Sequence, residues 1–273
     1  VTDLRLVVVD MDGTLLDEHG AVPDALWPLW ERLHERGIVL APASGRQYAT
    51  LARSFERAGE GLTYIAENGA YVVRDGVELA STTLDRAFVV DAIGLLRTLA
   101  GSGRDLGVVL CGKRSAYVER PDERFVAHVR PYYAELATVD DLLAVDDDVL
   151  KIAVFDFAGG ADLEPHVAHL RETHQVVVSG QHWTDLMAPG VNKGVAVGQL
   201  QAELGITRAQ TAAFGDYLND LEMLDAAELS FAMADAHPEV LERARHIAPS
   251  HREQGVITTL EAILDGGLEF RST

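Results

Sequence analysis

The sequence predicts an α/β protein, a doubly wound parallel sheet with an inserted α/β unit. Three observations predict it. Short, valine-rich apolar runs alternate with segments of helical periodicity near both ends of the chain. Three of those runs stop abruptly in clusters of polar residues, as strands do where an open parallel sheet binds ligands. The stretch from about Thr83 to Pro189 breaks the alternation and reads as a separate unit of hairpins and helices.

The first strand is Leu4–Val9, nearly all apolar, and it ends in Asp10-Met11-Asp12-Gly13-Thr14. Leu26, Leu29, Trp30 and Leu33 then fall at helical spacing, with Trp30 predicted in the core and Gly37 as the stop. Pro28 either kinks that helix or marks its start. Ile38–Ala41 is the second strand and runs into Ala43-Ser44-Gly45-Arg46. A helix over Tyr48–Ala58, a strand at Thr63–Ala66 and a turn at Glu67-Asn68-Gly69 follow. Glu67 and Asn68 suit a turn first and a functional role second.

The inserted unit opens with a helix over Phe88–Leu99 and a hairpin of Gly107–Leu110 with Ser115–Glu119. A helix starts at Glu123, and the acidic stretch Asp140–Asp148 is predicted as a solvated loop. Then come a strand at Lys151–Phe157, a helix at Leu163–Thr173, and strands at Gln175–Ser179 and Asp185–Ala188. The alternation then resumes. Asn192–Leu204 is a helix stopped by Gly205, and Thr211–Phe214 is a strand ending in Gly215-Asp216. A helix at Asn219–Ala226, a strand at Leu229–Met233 and a helix at Pro238–Ala244 complete the pattern.

Composition narrows the function classes. The chain has 273 residues, enough for two domains or one large one. Hydrophobic residues are 48% and charged residues 24%, which is globular composition. A net charge of −20 argues against nucleic acid and anionic membrane as partners, since both reward basic surface. No apolar run reaches the roughly 20 residues of a membrane helix. No basic-then-apolar leader opens the sequence, and a cytoplasmic monomer or small homo-oligomer is expected. The single cysteine, Cys111, excludes an internal disulfide and a cysteine zinc cage, and suits a small buried hydrophobe.

The polar clusters share a chemical logic. Asp10, Asp12 and Asp216 are expected to bring three carboxylates together, an arrangement that repels itself unless a cation is present. Hard oxygen ligands in an incomplete shell suit Mg²⁺, which accepts phosphate oxygens. Lys193, Ser44 and N–H groups at helix starts then complete a phosphate site.

With these residues in view, the chain resembles the haloacid dehalogenase superfamily, in particular its Cof-like class IIB phosphatases. The first motif is Asp10-Met11-Asp12-Gly13-Thr14-Leu15 after an apolar strand, and the second is Ser44-Gly45-Arg46. The third is Lys193 within Val191-Asn192-Lys193-Gly194. The fourth is Gly215-Asp216-Tyr217-Leu218-Asn219-Asp220, continuing through Leu224. Glu67-Asn68-Gly69-Ala70 and Gly255-Val256 are similar to Cof-like members too. The likeness covers about Leu4–Thr82 and Gly190–Leu264; the insert matches in position and size alone.

The resemblance implies a Rossmann-like hydrolase core over residues 1–82 and 190–273, with an inserted α/β cap over 83–189 that sets specificity. It implies a Mg²⁺-dependent phosphatase acting on a small phosphorylated metabolite, sugar phosphates foremost. Asp10 would be the nucleophile and form an aspartyl phosphate. Asp12 would protonate the leaving oxygen and then activate water. The metal would be held by the Asp10 and Asp216 carboxylates and the Asp12 main-chain oxygen. Met11 N–H, Ser44, Gly45 N–H, Lys193 and Asn219 would hold the phosphoryl oxygens. Asp220 would support the metal through water or orient Lys193, with Thr14 and Arg46 also behind the site. Arg46 has two readings, a substrate contact or an ion-pair partner.

Asp at position 12 is what the phosphatase branch uses, and an insert between the second and third motifs argues against the mutase branch. A phosphosugar mutase and a non-catalytic phosphometabolite-binding regulator are the alternatives. One departure is Ala234-Asp235, where family members often have Gly-Asn; it bears on a loop contact at the metal rim. Lys113, Arg114, His182 and Trp183 are the candidate substrate contacts of the insert, though each also suits ordinary surface or packing. His166 and His169 lack a third ligand nearby and suit an exposed helix face. Gly101-Ser102-Gly103 suits a loop, since no apolar strand runs into it.

Overall fold

The computed structural model describes residues 3–266. Contacts divide the chain into two compact units. One comprises Val1–Gly45, Leu51–Ala80 and Asn192–Thr273; the other comprises Arg46–Thr50 and Ser81–Val191.

The first unit begins with β1 (Leu6–Asp10), buried at every residue. Helix α1 (Leu26–Glu35) buries Leu26, Leu29 and Leu33, with both Trp27 and Trp30. Pro28 sits in its first turn, where a missing N–H loses no helical hydrogen bond. Next come β2 (Val39–Ala43), α2 (Tyr48–Ser54) and β3 (Thr63–Ala66). The helix expected to reach Ala58 ends at Ser54 and is followed by a 3₁₀ turn at Glu56–Ala58. A hairpin of β4 (Tyr71–Arg74) and β5 (Val77–Ser81) extends the sheet beyond the strands expected from sequence.

The second unit holds α3 (Arg86–Gly101), β6 (Leu106–Gly112), β7 (Ala116–Val118), α4 (Glu123–Val129) and β8 (Leu136–Thr138). It continues with β9 (Val149–Asp156), α5 (Gly160–Val167), β10 (Gln175–Val178) and β11 (Trp183–Met187). Asp85 and Asp122 cap α3 and α4 through the N–H groups of Phe88 and Phe125. The strand order is β10-β11-β9-β6-β7-β8, antiparallel except for β7 with β8. On one face Phe125, Val126 and Val129 of α4 pack in a cluster with Val109, Cys111, Ala153 and Phe155. Gln47 belongs here by its bonds: its side chain exchanges hydrogen bonds with the Glu135 main chain at 3.0 and 2.9 Å.

Two expectations for this unit are corrected. The helix placed at Leu163–Thr173 is instead α5 followed by a 3₁₀ segment at Ala168–Glu172; Pro165, with no N–H to donate, lies inside the short helix. The acidic stretch is not wholly solvated. The Asp147 side chain is 3% exposed and accepts from Arg114 N–H at 3.0 Å and Tyr117 Oη at 2.9 Å. Cys111 is buried in the core as expected, with Sγ 3.2 Å from Tyr133 Oη. Gly101 ends α3, and Ser102 Oγ donates to Leu99 O at 2.7 Å, a helix end and not a phosphate loop.

The chain returns to the first unit through α6 (Lys193–Leu204), capped by Asn192 and closed by Gly205. Then follow β12 (Thr211–Gly215), α7 (Leu221–Asp225), β13 (Leu229–Met233), α8 (Pro238–Arg243), β14 (His246–Ala248) and α9 (Gly255–Leu264). The helix expected from Asn219 begins instead as a 3₁₀ turn at Leu218–Asp220. The Asp220 carboxylate accepts the N–H groups of Asp216 and Tyr217 and tightens that turn. The sheet order is β14-β13-β12-β1-β2-β3-β4-β5, parallel from β14 to β3, with β4 antiparallel to β3. The fold is a doubly wound α/β core of Rossmann type with a second α/β unit. Succession reverses direction beside β1, so the carboxyl ends of β1 and β12 form the switch point. Among the described residues no helix is long and apolar enough to cross a membrane.

Candidate active site

At the switch point β1 delivers Asp10, which is 7% exposed, and the chain turns at once through Met11–Leu15. Gly13 makes the turn possible. Its φ is +82°, and a β-carbon there would lie 2.4 Å from Asp216 Oδ2. Thr14 Oγ1 donates to Asp216 Oδ1 at 3.0 Å, locking the first loop to the end of β12.

Lys193, the first residue of α6, is buried between two acids. Its Nζ donates to Asp10 Oδ1 and, at 2.6 Å, to Asp220 Oδ1. Burial alone would favour the neutral amine, but the Asp10 and Asp220 carboxylates outweigh it and hold the ammonium above the usual lysine value. Burial pushes the Asp10 carboxyl well up; the Asp220 charge adds to this and Lys193 opposes it. Asp216 is pushed up to about 6, by burial first and Asp220 second.

Asp10, Asp216 and Asp220 each offer a carboxylate oxygen, and these atoms all lie within 4.8 Å of one another. One ammonium among three carboxylates leaves an excess of negative charge in a buried place. A hard divalent cation answers that excess, and oxygen donors are the ligands such an ion takes. The donor set therefore fits the metal that the sequence predicts. The third carboxylate is a correction: it belongs to Asp220, whereas the sequence reading placed the Asp12 carboxylate there. Asp12 is exposed, its side chain outside the cluster. The backbone explains this, since Asp12 is extended (φ −78°, ψ 119°) inside the tight turn and Met11 and Thr14 are the residues it buries.

Ser44, at the end of β2, is 3% exposed; its N–H donates to Ile65 O at 2.9 Å. Its carbonyl accepts from Asn68 N–H at 2.9 Å. Asn219 lies on the exposed 3₁₀ turn, and its Nδ2 donates to Asn68 Oδ1 at 3.4 Å. Asp10, Met11, Thr14, Ser44, Gly45, Lys193, Asp216, Asn219 and Asp220 all belong to the first unit, whereas Arg46 belongs to the second. Asn68 is the residue that sequence reasoning undervalued. It is 8% exposed and reaches both Ser44 and Asn219. The signal was its place directly after a buried parallel strand.

The four insert candidates do not gather. Lys113 and Arg114 follow β6, whose Gly112 pairs with Val149 at the start of β9. Trp183 pairs with Phe155 near the end of β9, and His182 precedes it. At about 3.3 Å per residue those ends lie roughly 20 Å apart. Lys113 Nζ is 3.5 Å from Asp148, and Arg114 Nε is 3.4 Å from Asp147. His182 stacks on Phe155, and Trp183 meets Phe155 and Tyr132 edge-on. Of the two paired histidine candidates, His166 Nε2 lies 3.1 Å from Arg104 Nη1.

Comparison with known proteins follows the same outline. Residues 7–260 match the model of the haloacid dehalogenase-like hydrolases. The chain is 30% identical over 270 residues to the 5-amino-6-(5-phospho-D-ribitylamino)uracil phosphatase YbjI of Escherichia coli (strain K12), covering 96% of each protein. It is 28% identical over 246 residues to the HMP-PP phosphatase of Cronobacter sakazakii, covering 89% of each. Among solved structures, SMU.1108c from Streptococcus mutans UA159 matches 96% of this chain and 99% of its own, with a TM-score of 0.84 and 25% identity. A haloacid dehalogenase-like hydrolase from Bacteroides thetaiotaomicron shares the fold at a TM-score of 0.84 and 23% identity, over 95% of this chain and 99% of its own.

Proposed function

The chain belongs to the haloacid dehalogenase-like hydrolase family as a phosphoric monoester hydrolase, and from that premise we propose a Mg²⁺-dependent phosphatase of small phosphorylated metabolites, sugar phosphates foremost. The observation that carries the reading is the buried Lys193 ammonium between Asp10 and Asp220, with Asp216 beside them at the sheet's switch point.

The proposed chemistry has two displacements. An Asp10 oxygen bonds to phosphorus as the bond from phosphorus to the leaving oxygen breaks, and Asp12 gives that oxygen its proton. The exposure of Asp12 suits this role, since it must meet both leaving group and water. Asp12, now a carboxylate, takes a proton from water, whose oxygen displaces Asp10 from phosphorus and releases inorganic phosphate. Lys193 offsets the charge of Asp10 and opposes its protonation. Met11 N–H, Ser44, Gly45 N–H, Lys193 and Asn219 hold the phosphoryl oxygens in this reading. Asp10, Asp216 and the Asp12 main-chain oxygen would hold Mg²⁺, with Asp220 behind them. The ion would supply charge neutralisation for the transferring group.

The second unit takes the role of specificity cap in the same proposal. Lys113 and Arg114 at one end of β9 and His182 and Trp183 at the other are alternative candidate pairs for recognising the leaving group. Arg46, the last residue of the second motif, belongs to that unit and keeps its two readings, substrate contact or ion-pair partner. A cytoplasmic location belongs to the same proposal.

The test is phosphate release from an aryl phosphate and a metabolite panel, with Mg²⁺ and with a chelator. A phosphorylated ribitylaminouracil heads the panel, because one relative is named for it. Release that needs Mg²⁺ is expected. Asp10→Asn should abolish it while the melting temperature holds. Turnover retained in that variant would sink the nucleophile assignment, and turnover indifferent to chelation would sink the metal.

A further inference from the structure

Glu67, Asn68 and Gly69 hold three consecutive positive φ angles, 50°, 56° and 99°. Glycine takes that region freely, asparagine less so, and glutamate rarely. Such a backbone persists where its surroundings fix it. The surroundings here are the ends of the other motifs. Asn68 N–H donates to Ser44 O at 2.9 Å. A β-carbon on Gly45 would lie 3.1 Å from the Asn68 carboxamide, so the two are in close contact. A β-carbon on Gly69 would lie 2.4 Å from Asn192 O, so the turn is pressed against the peptide leading into Lys193. Asn219 Nδ2 donates to Asn68 Oδ1 at 3.4 Å. One turn therefore touches the second, third and fourth motifs together.

A carboxamide nitrogen carries two N–H bonds in one plane. Fixing one fixes the direction of the other. Asn219 is exposed on its turn, and the buried Asn68 carboxamide gives it a fixed anchor. We propose that Asn68 is a positioning residue. Its carboxamide directs the second N–H of Asn219 toward the transferring phosphoryl group, while its main-chain N–H, which a glycine there would keep, holds the Ser44 carbonyl. Asn68 itself touches none of the reacting atoms. A donor set before the reaction needs no reorganisation during it, which is where its rate advantage arises. The inference rests on the phosphatase reading above, in which Asn219 and Gly45 N–H bind phosphoryl oxygens.

The test compares Asn68→Gly, Asn219→Ala and the double variant with wild type. The assays are turnover of p-nitrophenyl phosphate and competitive inhibition by inorganic phosphate. Glycine suits a φ of +56°, so Asn68→Gly removes the carboxamide and spares the turn; a thermal melt checks the fold. Asn68→Gly should lower kcat/KM about tenfold, the scale of one lost anchoring hydrogen bond, and weaken phosphate inhibition similarly. Adding Asn68→Gly to Asn219→Ala should lose nothing further, because the anchor acts through Asn219. Wild-type kcat/KM in Asn68→Gly overturns the inference, and so do losses that multiply in the double variant. An active wild type with either result overturns this inference alone. A wild type inactive on every substrate overturns the phosphatase reading and this inference with it.

Discussion

Lys193 keeps its charge where its side chain meets no solvent, because two carboxylates face it. Removing the one ammonium leaves both carboxylates buried without compensation, an effect of about 3–5 kcal/mol. Lys193→Met keeps most of the volume and removes the ammonium. It should lower stability on that scale and reduce turnover by roughly 10²–10³. Urea denaturation and steady-state kinetics check the two halves, and unchanged stability would show that Asp10 and Asp220 find another partner. At this scale the gathering of Asp10 and Asp216 with Lys193 was legible. Asp10, Lys193, Asp216 and Asp220 each stand at a strand end or helix start, so their convergence follows from topology. Two points were not legible. Whether the Asp12 or the Asp220 carboxylate joins the cluster depends on the extended backbone at Asp12 inside the turn. The role of Asn68 was hidden because a turn former and a side-chain anchor call for the same residue.

Elements carry their own signals. Asn192 Oδ1 accepts from Val195 N–H at 2.8 Å and sets where α6 begins, hence where Lys193 sits. Asn192→Ala should destabilise by about 1 kcal/mol. It should also lower turnover, because the first helical residue loses its fixed start; a melt and a rate measurement read both. His246 on β14 is half-buried and tilted against Phe231 at 5.1 Å. Burial, then the nearby Arg245 charge, holds its imidazole below the usual value. The unfolded chain therefore binds the proton more readily. The contribution is complete above the unfolded value of about 6.5 and declines as pH falls through it. The loss of melting temperature between about pH 7.5 and 5.5 should be smaller in His246→Gln. An equal loss in both proteins would exclude His246 as a contributor. The β4–β5 hairpin carried a sequence signal that went unused: Asp75 and Gly76, both at positive φ, join two β-rich runs. At three residues, β14 is too short to show a period.

For the molecule as a whole, the division into an outer alternating pattern and a different middle was visible in the sequence. The register of the insert was not, and register decides that Lys113 and Trp183 lie far apart along β9. Periodicity assigns a strand its faces but not its partner. The net charge of −20 is a property of this scale too. Self-repulsion opposes compactness and is screened by salt. The melting temperature should rise as sodium chloride goes from about 10 to 150 mM, where the screening length shortens from about 30 to 8 Å. A flat response would mean that local ion pairs already balance the excess.

Thr14 and Asp216 are hydrogen-bonded across 202 positions of chain. During synthesis the amino-terminal strand therefore emerges long before β12, the neighbour that lies beside it. Among the described residues the strands of the insert pair with one another alone, and they are made in the meantime. Until β12 leaves the ribosome, Leu6–Val9 lacks its neighbour on that side and presents an unpaired apolar edge there. The same topology that gathers the acids into one place makes the opening strand the segment most in need of protection while the chain is incomplete.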